Sequence, residues 1–201
     1  MTLKIFEKIT ARLIESGTIS AEDKDIYEYG LKHIATMFLN ISTTLVIGFI
    51  FGMIWQSGLF MVSYIPLRSY AGGYHARTPL KCYIFSVILT ICVLLIIKYI
   101  PYNNISLLIL LIISGVFIFI FAPVGDENKP LDELETKVFK KRTRIILFIE
   151  SALIGLFMFL GLTWIMICMT VSIIIVSFMV AISTVKNKIN FQKIFRNHPM
   201  K

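Results

Sequence analysis

An all-α polytopic membrane protein, with six transmembrane helices behind an amphipathic interfacial helix, is the fold that these 201 residues predict. Hydrophobic residues make up 57% of the chain and charged residues 16%, against about 45–50% and about 25% in a soluble domain. The apolar residues lie in long runs, and the basic ones fall between those runs. A formal charge of +8 points to nucleic acid only when the cations form a stripe on a soluble surface, so no nucleic-acid partner is expected. The chain is short enough for one membrane domain, 1–201, with polar helices at 1–32, a six-span bundle at 33–185 and a basic tail at 186–201. Cys92 and Cys168 sit inside apolar runs and leave an odd third cysteine, Cys82, so no disulfide framework is expected.

The first element is residues 1–16, where Leu3, Ile5, Phe6, Ile9, Leu13 and Ile14 recur at helical spacing against Lys4, Glu7, Lys8, Arg12 and Glu15. That pattern predicts a helix lying on the membrane surface, stopped at Gly17. It is too charged for the core of a secretory signal, so the segment is expected to stay on the mature protein. Ser20 and Asp23 read as a capping pair opening a second polar helix to about Lys32. Span one, Ile34 to Ile54, has 21 residues without a charge, enough at about 1.5 Å per residue to cross a core of about 30 Å. The second apolar run, Trp55 to Leu67, has only 13 residues; it is either extended by its flanks or re-entrant. Four more runs follow at Tyr83 to Ile97, Ile105 to Ala122, Ile145 to Leu162 and Thr163 to Val185.

The distribution of cations decides between those two readings of the second run, because short cytoplasmic loops collect Lys and Arg. With six crossings, nineteen of the 20 basic residues fall on one side and Lys98 alone on the other. A re-entrant second run would put six inside and 14 outside. Six crossings are therefore expected, in the cell membrane, with both termini, the 68–82 segment and the 123–144 loop in the cytoplasm. That compartment is reducing, so Cys82 is expected to remain a thiol.

The segment between spans two and three, Arg68-Ser-Tyr-Ala-Gly-Gly-Tyr-His75-Ala-Arg-Thr-Pro-Leu-Lys-Cys82, carries the chemistry. A thiol acts as a nucleophile only as thiolate, which needs a base or cation beside it; His75 can be that partner. On one straight helix the two would lie about 10 Å apart along the axis, too far to bond. Gly72 and Gly73 permit a turn, however, and Thr78-Pro79 reads as an N-cap followed by proline at the first helical position. Cys82 would then lie in the first turn of span three, where the helix dipole, Lys81 and Arg77 favour thiolate. Taken singly, the cysteine is as well explained by packing and the histidine by interfacial solvation. Arg68 or the backbone N–H groups around Cys82 can each serve an oxyanion.

The pattern Arg-x-x-x-Gly-Gly-x-His-x6-Cys between two apolar spans resembles the signature of the accessory gene regulator B family, membrane cysteine peptidases that process quorum-sensing peptide precursors. The resemblance extends to chain length, the amphipathic start, six spans, and the loop Ala-Pro-Val-Gly-Asp-Glu-Asn-Lys-Pro-Leu at 122–131, which is similar to that family's Asn-Lys-Pro loop. It implies that His75 is the base and Cys82 the nucleophile. The implied reaction is cleavage of the C-terminal part of a small precursor peptide through a thioester, with closure to a thiolactone. Arg68, Gly72, Gly73, Lys81 and Lys129 are expected around the transition state or the substrate. A homodimer is a further expectation at the family level. No cofactor and no metal are expected, since three scattered histidines and two mid-membrane cysteines lack ligand spacing.

Three features lie outside that site. The 123–144 loop begins acidic and ends basic, with Leu131, Leu134 and Val138 at helical spacing; it reads as an interfacial helix whose cations meet the lipid bilayer, or as a dock for the precursor's acidic tail. Glu150 lies about 9 Å inside span five, where an ionisable residue is a functional candidate unless it snorkels or stays protonated. Asn40, Ser42, Thr43 and Thr44 are expected to face neighbouring helices. The rival class is a non-enzymatic transporter or peptide-export component, which would show internal repeats or matched broken spans; the sequence shows no convincing repeat.

Overall fold

The computed structural model describes residues 3–73, 79–125 and 131–197. Among these the regular structure is entirely helical. Helix α1, Leu3–Glu15, ends where Gly17 turns the chain at φ +69°. The Ser20 hydroxyl donates to the Asp23 carboxylate at 2.9 Å rather than capping a backbone N–H, and one 3-10 turn, Ala21–Asp23, feeds α2, Lys24–Ile50. The expected break near Lys32 does not occur: Lys32 pairs with Glu28 one turn back, and Thr36 donates to the Lys32 carbonyl at 2.9 Å. Gly30 is the sole poor helix former there, at a cost of about 1 kcal/mol, too little to interrupt a helix packed along its length.

Helix α3, Ile54–Ala71, has 18 residues with Pro66 inside it, so the short second run is part of one continuous helix that its flanks extend. Helix α4, Pro79–Tyr99, begins on the proline that the sequence marks as a first helical residue. Asn103 caps α5, Asn104–Phe121, by accepting from the Ile105 N–H at 3.1 Å. Asp132 and Glu135 form a capping box on α6, Glu133–Phe159, so the segment expected at the interface and the expected span five belong to a single helix. The last helix, α7, runs Thr163–Asn197, past the expected end of span six at Val185.

Helix α7 occupies the centre. Its Ile173, Val176 and Val180 are fully buried, against Leu67 and Ala71 of α3, Leu107 and Ile118 of α5, and Leu147 and Ile154 of α6. Helix α5 by contrast turns Ile105, Ile109, Ile113 and Ile120 outward, as a lipid-facing helix does. Polar side chains join helices inside: Thr43 of α2 to the Tyr83 hydroxyl of α4 at 3.0 Å, Thr44 to Thr90 at 3.3 Å, and Ser63 of α3 to Ser172 of α7 at 2.7 Å. The expectation for Thr43 and Thr44 therefore holds. Helices α2, α4, α5 and α7 are long and apolar enough to cross a bilayer. Helix α3 carries Gln56 and Arg68, and α6 carries Arg142, Arg144 and Glu150, which takes both out of that class.

Candidate active site

Cys82 is the fourth residue of α4, a half-buried free thiol. Within a helix the first N–H groups have no acceptor of their own, and their summed dipole lowers the energy of an anion placed there. The adjoining Tyr83 hydroxyl, tied to Thr43 of α2, fixes the rotation of this turn. From α3, the Arg68 guanidinium donates to the Gly72 carbonyl and to the Tyr64 hydroxyl, which lies within electrostatic reach of the Cys82 thiol. Tyr64 is itself stacked on Phe60, centroids 5.1 Å apart. Lys81 extends outward from the same turn as Cys82. His75, Arg77, Thr78 and Lys129 lie outside the described residues.

Gly72 and Gly73 do more than turn the chain. Their φ angles are +71° and +113°, and between them α3 ends on a single parallel bridge to Val124. Gly73 N–H donates to the Val124 carbonyl, and Val124 N–H to the Ala71 carbonyl, each at 3.1 Å. A Cβ on Gly72 would stand 2.2 Å from the Val124 oxygen, and one on Gly73 would stand 3.1 Å from the backbone of Met179 on α7. The partner segment is held in turn: Asn187 of α7 donates to the Gly125 carbonyl at 2.9 Å. Tyr70 meets Phe139 of α6 edge-on at 5.5 Å and accepts from Arg142 at 2.9 Å. Beside the bridge, Phe121, Pro123 and Gly125 face Thr184 and Lys188 across a groove of about 560 Å³.

The described parts of the two segments that the sequence singles out, 68–73 and 122–125, are thus joined backbone to backbone. Sequence reasoning missed Tyr64, Tyr70, Arg142 and Asn187 as partners in this arrangement. Tyr64 stands one turn before Arg68 and could have been found from helical spacing; the others pair across more than 60 residues and leave no local signal. Glu150 does not snorkel: it is 6% exposed, lies near Ser63, and its Oε2 has no hydrogen-bond partner among the described residues. Also among those residues, no group of three His, Cys, Asp or Glu side chains could hold a metal.

Residues 6–180 match the Accessory gene regulator B family. The chain is similar to AgrB-like protein 2 of Clostridium perfringens strain 13, 30% identical over 161 residues, 73% of this chain and 72% of that one. An AgrB-like protein of Clostridium perfringens strain SM101 is 29% identical over 173 residues, 78% of this chain and 77% of its own. One from Listeria monocytogenes strain EGD-e is 29% identical over 125 residues, 59% and 58% of the two chains. No solved structure matches.

Proposed function

Since the chain belongs to the accessory gene regulator B family, which processes autoinducing peptide precursors, we propose that it is a membrane-embedded cysteine endopeptidase acting through Cys82 and His75. The observation that carries this reading is the seat of Cys82 in the first turn of α4, opposite the Arg68–Tyr64 pair. The unpaired N–H groups of that turn are placed to stabilise an anion formed at the thiol's reaction partner.

In the proposed reaction His75 takes the thiol proton and the Cys82 thiolate attacks a backbone carbonyl of the precursor. The electron pair moves to the oxygen, where Arg68 or the first-turn N–H groups stabilise it. Collapse breaks the C–N bond; the departing amine takes the proton from His75 and leaves with the C-terminal tail. A thiol within the remaining peptide then gives its proton to His75 and displaces Cys82, exchanging one thioester for another and closing a thiolactone. Gly72 and Gly73 fix the end of α3, two residues before His75 in the chain, against the 122–125 segment. Lys81 and Lys129 are contacts for the precursor's charged tail. The partners are the precursor peptide, the bilayer and, as a dimer, a second copy. This reading includes six crossings, α1 on the membrane surface and both termini in the cytoplasm, supported by the nineteen basic residues that fall on that side.

The test is intact-protein mass spectrometry after co-expression with the short precursor encoded nearest to it. A peptide-sized adduct on Cys82, absent from Cys82→Ala and with no cleaved peptide in His75→Ala, is the expected result. Cleavage that persists in either variant at normal membrane levels removes that residue from the mechanism.

A further inference from the structure

Helices α5 and α6 line an open groove of about 460 Å³. Ile112, Val116 and Phe119 of α5 and Phe148 of α6 wall it, each about half exposed or more. Its floor is Gly115, above which a Cβ would meet nothing within 4 Å. At one end stands Arg144, its guanidinium 4.1 Å over the centre of the Phe119 ring. The Arg144 Nε is buried and has no hydrogen-bond partner among the described residues, and no carboxylate lines the groove.

A cation seated among apolar walls is costly unless something pairs with it, and the face of one ring offsets only part of that cost. The surroundings of Arg144 are graded. Toward the α6 N-terminus, Lys141 and Lys137 continue the same helical stripe three and seven residues away; in the other direction Phe148 and Ser151 follow at four and seven. Over about 10 Å on each side of Arg144 the stripe passes from cationic to apolar. That gradient complements an amphiphile with an anionic head and an alkyl tail. A free anion would leave the apolar walls unused, and an uncharged lipid would leave Arg144 unpaired. We propose that the α5–α6 groove is a binding site for one anionic phospholipid, its phosphate in the fork of Arg144 with Lys141 beside it, and one acyl chain lying over Gly115 between Ile112 and Phe148. The site is separate from Cys82, and its test needs no peptidase activity.

The experiment is native mass spectrometry of the full chain released from detergent, with phosphatidylglycerol and phosphatidylcholine of identical chains offered in equal amounts. Wild type is expected to retain phosphatidylglycerol over phosphatidylcholine by about fivefold or more, as one engaged cation near the surface supplies. Arg144→Gln brings the ratio near one, Gly115→Leu lowers retention of both lipids, and glycerophosphoglycerol, the head group without chains, does not compete. Equal retention by wild type overturns the proposal without recourse to any variant. So does a preference that survives Arg144→Gln, which assigns it to surface lysines, displacement by the head group alone, which makes the site one for free anions, or a lipid-free dimer, which fills the groove with a second copy.

Discussion

Gly72 combines φ +71° with ψ −150°, a region open essentially to glycine alone, where another residue costs about 1–3 kcal/mol. Its missing Cβ also makes room for the Val124 carbonyl, which belongs to backbone and cannot swing aside. Gly72→Ala is therefore expected to separate the end of α3 from the 122–125 segment and to lower precursor cleavage by about tenfold or more. Gly58→Ala, at a helical position where a Cβ meets nothing within 4 Å, should leave cleavage and membrane level unchanged. The assay is cleaved precursor per unit of membrane-inserted protein, and equal activity in the two variants would show that the bridge does not position the site. The turn itself was legible, because a Gly-Gly pair ahead of Thr-Pro admits little else. The bridge was not, since nothing in a lone Val124 marks it as the partner of a glycine more than 50 residues earlier. Cys82 was legible to the turn, because Pro79 both permits and fixes a helix start.

At the scale of elements, Ser63 of α3 and Ser172 of α7 share a buried hydrogen bond, with the buried Glu150 of α6 nearby. Ser172 itself donates to the Met169 carbonyl, so Ser63 is the donor between the two serines; removing that hydroxyl leaves a buried oxygen without its donor and costs about 1–3 kcal/mol, whereas an amide in place of the Glu150 carboxyl keeps its shape and an acceptor oxygen. Ser63→Ala is thus expected to lower the thermal unfolding midpoint in detergent more than Glu150→Gln. It should also exceed Ser57→Ala, because the Ser57 hydroxyl bonds only the Ile54 carbonyl of its own helix. Three equal midpoints would show that the cluster does not couple the helices. Element ends were read less well than element existence. The sequence divides α2 and α6 at changes of polarity, but a helix ends where its hydrogen bonds end, and neither Lys32 nor Arg144 interrupts them. A polar turn simply continues an apolar one beyond the membrane edge. Glu150 was visible as an anomaly, while the serines that receive it lie on two other helices and carry no signal individually.

For the whole molecule, the arrangement of cations makes the six-crossing topology testable. With the native cysteines replaced by alanine, Asn103→Cys is expected to react with an impermeant maleimide on intact cells. Asn128→Cys should react only after the membrane is opened. The reverse pattern would invert the topology and remove Cys82 from the cytoplasm. Both outer helices and inner ones are hydrophobic in sequence, so composition alone did not reveal which was central. What distinguishes α7 is its run of Thr170, Ser172, Ile173, Val176 and Val180, all buried, small or β-branched residues that let neighbouring backbones approach closely.

The central place of α7 also sets an order of assembly. A ribosome makes this helix after every helix that packs on it, so each of those is made before its principal neighbour exists. Until then Ser63 lacks Ser172, Gly73 lacks the Met179 backbone against which it closes, and the segment at 122–125 lacks Asn187. Insertion of the earlier helices and completion of the site are therefore separate events in biosynthesis. A chain cut short before α7 retains Arg68, Gly72, Gly73 and Cys82 without the helix on which Gly73 and the 122–125 segment close.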